Sequence, residues 1–192
     1  RGTIEDTMVA ADAVVGPLAA QRSTEALDAW VQDYGRARRA ACEARGTSAQ
    51  DVERARDRCL TRRASQFERV ATSLENSSAD VVWRADRVVS LLQSASSCED
   101  AAAASVLVEP PSDERSERAV ETVQASIDDA RTRVAEGDYD AANRVALEAL
   151  ESAEAARYDP AIAEALRSAG VVASKLGRTQ DALELFERSF VA

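Results

Sequence analysis

Three cysteines, Cys42, Cys59 and Cys98, are the side chains of this 192-residue sequence with the most chemistry to offer. Thiolates hold zinc when they recur as CxxC pairs or alternate with histidine. These cysteines are 17 and 39 residues apart and the chain contains no His, so a zinc site is not expected. Structural thiols or one disulfide remain. The adjacent carboxylates Glu99-Asp100 and Asp128-Asp129 are the other candidates, because acid–base catalysis uses paired groups whose environments split their pKa values. Both pairs fall within charged helical patterns with no partner base beside them. No catalytic residue, metal or cofactor is expected, and the segment reads as non-enzymatic.

The elements that carry these residues read as helices throughout. Hydrophobic residues make up 45% of the chain and charged residues 30%, with few Gly and Pro, which is the composition of an all-α fold. Residues 3–15 have helical apolar spacing, and Gly16-Pro17 interrupts it. A second helix is expected over 24–45 with Leu27, Trp30, Val31, Tyr34 and Ala41 on its buried face, and Gly46 ends it. A third follows over 49–74. A fourth is expected over 78–96, with Ser77 and Asp80 placed as N-cap and third residue. Short turns between long helices predict antiparallel neighbours, hence a helical bundle over 1–109. Pro110-Pro111 marks the boundary, after which Ser112 can cap a helix running to Glu136.

The charge of −10 is uneven, because 113–192 carries 10 basic and 17 acidic groups. An acidic surface repels phosphate, so nucleic acid is not the expected partner. The Arg-rich stretches around Arg38 and Arg58 are interleaved with Asp and Glu and read as solvated helix faces. No apolar run reaches the ~18 residues of a membrane span, so no direct membrane insertion by this segment is expected. The chain begins at Arg1 rather than Met and reads as an excised piece.

Two Gly-centred turns, EGDYDAA around Gly137 and LGRTQDA around Gly177, each join two amphipathic helices. The second copy resembles a tetratricopeptide repeat (TPR). Leu166, Ala169, Gly170 and Ala173 follow the spacing of that repeat's first helix, and Ala182, Phe186 and Ser189 that of its second. Helices packed about such a turn need a small residue where they approach, here Gly170 and Ala182, and a ring to fill the gap, here Phe186. In the first copy Gly137, Ala142 and Ala149 match, but Ala146 replaces the ring. The glycines are 40 residues apart, against a usual period of about 34, so extra length is expected in the helix around 150–157. The expected architecture is an antiparallel bundle (1–109) leading into a short TPR-like array (112–192), its units at about 113–158 and 160–192.

The runs LDAWVQDYGRARRAACEARG, RARDRCLTRRASQFERV and SSCEDAAA, followed by a Pro-bounded step into the two repeats, are similar to the region C-terminal to the kinase domain in large bacterial serine/threonine protein kinases with TPR arrays. Nothing of the kinase itself is present. The resemblance implies a regulatory or sensing region that binds a protein or peptide in a concave groove. It places Gln124, Asp128 and Arg131 of the first copy, and Glu164, Arg167, Val171, Ser174 and Lys175 of the second, on that groove. It also implies the extracytoplasmic part of a membrane-anchored protein, with a cytoplasmic location as the alternative. In an oxidising compartment a cystine is expected. Antiparallel helices then bring Cys98 and Cys42 within about 4 Å along the bundle axis, with Cys59 about 10 Å from Cys42. Cys98 is the expected member of the pair, with Cys42 slightly ahead of Cys59 as its partner. The competing reading is a structural or oligomerising segment that pairs through exposed Leu185, Phe190 and Val191.

Overall fold

A computed structural model describes residues 2–100, 111 and 113–192. It is 84% helical without strands among the described residues, and the chain divides into two compact units, Arg1–Glu109 and Pro110–Ala192.

In the first unit α1 (Gly2–Ala11) stops short of the expected position. The Asp12 carboxylate accepts hydrogen bonds from the Val14 and Val15 amides, both at 2.9 Å, and such local side-chain acceptors compete with helical bonding. The chain reverses there and α2 (Gly16–Glu43) begins with Pro17 in its first turn. The two helices meet at Gly16, where a Cβ would lie 2.3 Å from the Met8 carbonyl oxygen. Helix α1 is anchored by Ile4 and Met8, which are almost fully buried.

Helix α3 (Gln50–Glu75) follows the turn at Gly46. Trp30 of α2 stacks on Tyr34 at 5.0 Å and on Phe67 of α3 at 4.7 Å between centroids. Stacked rings contribute about 0.5–1.5 kcal/mol per pair beyond the area they bury. The Trp30 indole donates to the Gln93 carbonyl at 2.9 Å, tying both helices to the segment that follows. Val31, expected on the buried face, is 51% exposed. It lies about 100° around the helix from Trp30, which is buried as expected.

The expected helix over 78–96 is instead broken into α4 (Ala79–Trp83), α5 (Ala85–Val89) and a 3-10 turn at Ala95–Ser97. Ser78 rather than Ser77 caps α4, accepting from the Val81 amide, while the Ser77 hydroxyl donates back to Leu74. The larger break has a distant cause. Asp33 of α2 accepts from the Ser94 hydroxyl and from the Ala95 and Ser96 amides. A continuous helix would direct those amides to carbonyls four residues earlier.

This break corrects the cystine pairing. Cys98 is joined to Cys59, with a Cα–Cα distance of 5.6 Å, while Cys42 is an exposed free thiol. Helix rises 1.5 Å per residue, and a segment that spends part of its length in turns climbs less along α3. Cys98 therefore stops opposite Cys59 instead of reaching the level of Cys42. Arg56, one turn before Cys59 and buried, donates from Nη2 to Glu99 at 2.7 Å, and its Nε lies 2.7 Å from the other carboxylate oxygen.

The second unit consists of α6 (Glu114–Glu136), α7 (Tyr139–Ala156), α8 (Asp159–Lys175) and α9 (Thr179–Val191). Ser112, expected as the cap of α6, and most of the stretch before it lie outside the described residues. Asp113 does the capping, accepting from the Ser116 amide at 2.9 Å. The two Gly turns are alike to the hydrogen bond. Gly137 and Gly177 both take positive φ, and the Asp138 and Arg178 amides each reach back five residues, to Arg133 and Ala173, at 2.9 Å. This is the Schellman closure that a left-handed residue permits. Helix α7 runs 18 residues against 13 for α9 and ends at Arg157, whose φ is also positive.

Small residues dominate the packing. Ala149, Leu150 and Ala153 of α7 meet Ala161, Ala165 and Leu166 of α8 in one cluster with Val120, Val123 and Ile127 of α6. Ala130, Ala142, Ala146, Ala169 and Val172 form another. Alanine contacts let helix axes approach closely. At Gly170 the Phe186 ring occupies the space a Cβ would need, 2.7 Å away. Leu185, expected to be exposed, is instead half-buried against both clusters, the correction following from its place on the same side of α9 as Ala182.

Candidate partner-binding face

Helices α6 and α8 are the first helices of their hairpins, and a direct ion pair joins them. Arg131 reaches Asp128 one turn earlier on its own helix at 3.1 Å, and Glu164 of α8 at 3.1 Å. Asp128 is 3% exposed, and Arg131 and Glu164 keep about a quarter of their side-chain surface. A buried carboxylate needs a charged or hydrogen-bonding partner, and Arg131 provides one. Three residues expected on the groove thus meet, but as a bridge between helices in which one guanidinium faces two carboxylates.

Gln124 lies half-buried one turn before Asp128 on α6. Arg167, Ser174 and Lys175 are exposed along α8, with Val171 at 36% exposure among them. Residues 164, 167, 171, 174 and 175 follow the three–four spacing of one helix face. The arrangement offers two cations about eight residues apart around one aliphatic side chain. Asp128 and Arg131 at three-residue spacing were legible as a helical ion pair. Glu164, 33 residues further on, carried no local sign of joining them.

An open cleft of about 300 Å³ lies in the first unit, bordered by Trp30, Asp33, Arg36, Leu92 and Ser94. Its carboxylate is already engaged. The Ser94 hydroxyl first, and then the Ala95 and Ser96 amides and the Arg36 charge, hold the Asp33 carboxyl below its usual range against the opposing effect of partial burial. A depressed folded pKa means that the stability Asp33 contributes is present above the unfolded value of about 4 and is lost as pH falls through the folded value. Asp33→Asn is therefore expected to flatten the acid limb of the first unit's stability. Tryptophan fluorescence from about pH 6 to about pH 2 reads this, since both tryptophans, Trp30 and Trp83, lie in that unit; an acid limb identical to the parent's would refute it.

Among the described residues no helix is long and apolar enough to cross a membrane, and no group of three or more His, Cys, Asp or Glu is placed to hold a metal ion. The fold and the face together define an all-α protein whose second unit is two helical hairpins in series. Against known proteins, no family model matches the chain, and neither a curated protein nor a solved structure matches it significantly.

Proposed function

We propose that residues 113–192 bind a protein or peptide segment along the α6–α8 face, as a TPR-like module in a non-catalytic regulatory region of a larger signalling protein. The bacterial serine/threonine kinases with TPR arrays are the parent class this reading favours. The observation that supports it best is the Arg131–Glu164 contact, which sets the first helices of consecutive hairpins side by side. In helical-repeat proteins that juxtaposition produces a continuous ligand surface. The identical Schellman turns at Gly137 and Gly177 and the Gly170–Phe186 contact support the repeat relation.

The test is selection of binding peptides from a displayed random library against the whole chain. Selected peptides are expected to lose at least tenfold in affinity on Arg167→Glu or Val171→Glu, and to be unaffected by Glu148→Arg, an exposed position on α7. Failure to select any peptide, or binding indifferent to both α8 variants, would refute the reading.

A further inference from the structure

The cleft of the first unit is apolar at one end and charged at the other. Ala26, Trp30 and Asp33 line it from α2 at the i, i+4, i+7 spacing of one helix face. Val89 and Leu92 line it from the segment where the expected fourth helix breaks. Asp33 and Arg36 lie about two to three turns along α2 from Ala26, so both charges are gathered at one end. Ser94, the remaining polar group on the lining, gives its hydroxyl to Asp33.

The two oxygens of Asp33 are used differently. Oδ2 accepts from the Ser94 hydroxyl at 2.6 Å and from the Ala95 and Ser96 amides at 2.7 and 3.3 Å. Oδ1 faces the Arg36 guanidinium at 3.5 Å, longer than the about 2.7–2.9 Å of a full charge-assisted hydrogen bond. Arg36 keeps 63% of its side-chain surface, and a guanidinium has donors enough for a second carboxylate. An anionic ligand alone would meet the charge of Asp33, and a cationic one that of Arg36. A ligand carrying both charges on adjacent atoms meets each group with its opposite. An α-amino acid is such a ligand, with ammonium and carboxylate on one carbon. The volume is near the lower bound for ligand sites, which suits a single residue. Trp30 is already stacked on Tyr34 and Phe67 and is 8% exposed, so little ring surface is left for an aromatic side chain. We propose that the cleft binds a free α-amino acid with an aliphatic side chain, its carboxylate on Arg36, its ammonium on Oδ1 of Asp33 and its side chain against Ala26, Val89 and Leu92. This site lies within the first unit and stands without the peptide-binding reading of the second.

Isothermal titration calorimetry of the whole chain with four probes tests it: leucine, 4-methylpentanoate, which lacks the ammonium, 3-methylbutylamine, which lacks the carboxylate, and glutamate. Leucine should bind at least tenfold more tightly than either single-charge analogue, and glutamate more weakly than leucine, because its second carboxylate would enter the apolar end. Arg36→Gln, at a side chain exposed enough to leave folding intact, should weaken leucine at least tenfold without weakening 3-methylbutylamine. Ala26→Leu, which fills the cleft, should abolish leucine binding while the urea midpoint of the first unit is kept. Arg87→Gln, exposed and outside the cleft, should change nothing. Absence of leucine binding, an analogue that binds as tightly as leucine, or binding indifferent to Arg36→Gln overturns the proposal.

Discussion

Reducing the Cys59–Cys98 bond, or replacing Cys98 by Ser, is expected to lower the stability of the first unit by about 4 kcal/mol. The bond closes a loop between residues 39 apart, and loop closure removes that much conformational freedom from the unfolded chain in the chain-entropy description. The folded side should change little. Cys98 is 1% exposed among Ala41, Leu60 and Ala95, and the Arg56–Glu99 pair holds the same two segments together without the covalent link. The reduced protein should therefore fold to the same structure and unfold at lower denaturant. Urea titration followed by tryptophan fluorescence, with and without dithiothreitol, measures the difference in the unit concerned. Cys42→Ser should have no effect, since that thiol is exposed and unbonded. A Cys42→Ser variant as unstable as Cys98→Ser would mean that the pairing is wrong.

Adding one methyl group at Gly16 should cost more than adding one at Gly170, although both sites are closed to a Cβ. At Gly16 the obstacles are the Met8 carbonyl oxygen and carbon and the Val9 Cα, at 2.3, 2.7 and 2.9 Å. These are backbone atoms inside α1, so only moving α1 away from α2 relieves the clash. That movement would uncover Ile4 and Met8, each worth about 1.5–3 kcal/mol when buried. Gly16→Ala is accordingly expected to destabilise the first unit by more than about 3 kcal/mol. At Gly170 the obstacle is the Phe186 ring alone, whose Cε1 and Cδ1 lie 2.7 and 2.9 Å from the Cβ position. A ring can turn, and Gly170→Ala should cost about 1–3 kcal/mol. Phe186→Leu in the Gly170→Ala background should recover part of that loss. Trp83, whose indole donates to Asp12 in the α1–α2 connection, reports the first effect, and far-UV circular dichroism the second. Equal costs at the two glycines would contradict this account.

What could be read in the sequence follows how far each feature reaches along the chain. The C-terminal end of α2, both ends of α3, the left-handed glycines and the Gly170–Phe186 contact depend on neighbours or on a single hairpin, and their residue types announce them, whereas α2 starts at Gly16, eight residues before the expected 24. The break in 78–96 depends on Asp33, more than 60 residues earlier. Nothing within the segment distinguishes it from a helix except its valines and serines, which are compatible with either. The partner of Cys98 changes with that break, because height along the bundle measured on a straight helix carries Cys98 past the level of Cys59. The same applies to the candidate face. Its positions on α8 come from the resemblance to a repeat, whereas the pairing of Arg131 with Glu164 depends on the packing of separate hairpins.

Asp33 has a further role once the cystine is considered as a product of oxidation. Three thiols allow three pairings, and the rate at which each forms depends on how often its sulfurs meet. By gathering Ser94, Ala95 and Ser96 around one carboxylate, α2 fixes the level at which the chain arrives at Cys98 two residues later. Cys98 is thereby presented to Cys59, and Cys42 stays an exposed free thiol. In the folded chain that hydrogen-bonded turn sets Cys98 against Cys59, so an acidic side chain that takes no part in thiol chemistry helps set which two sulfurs meet.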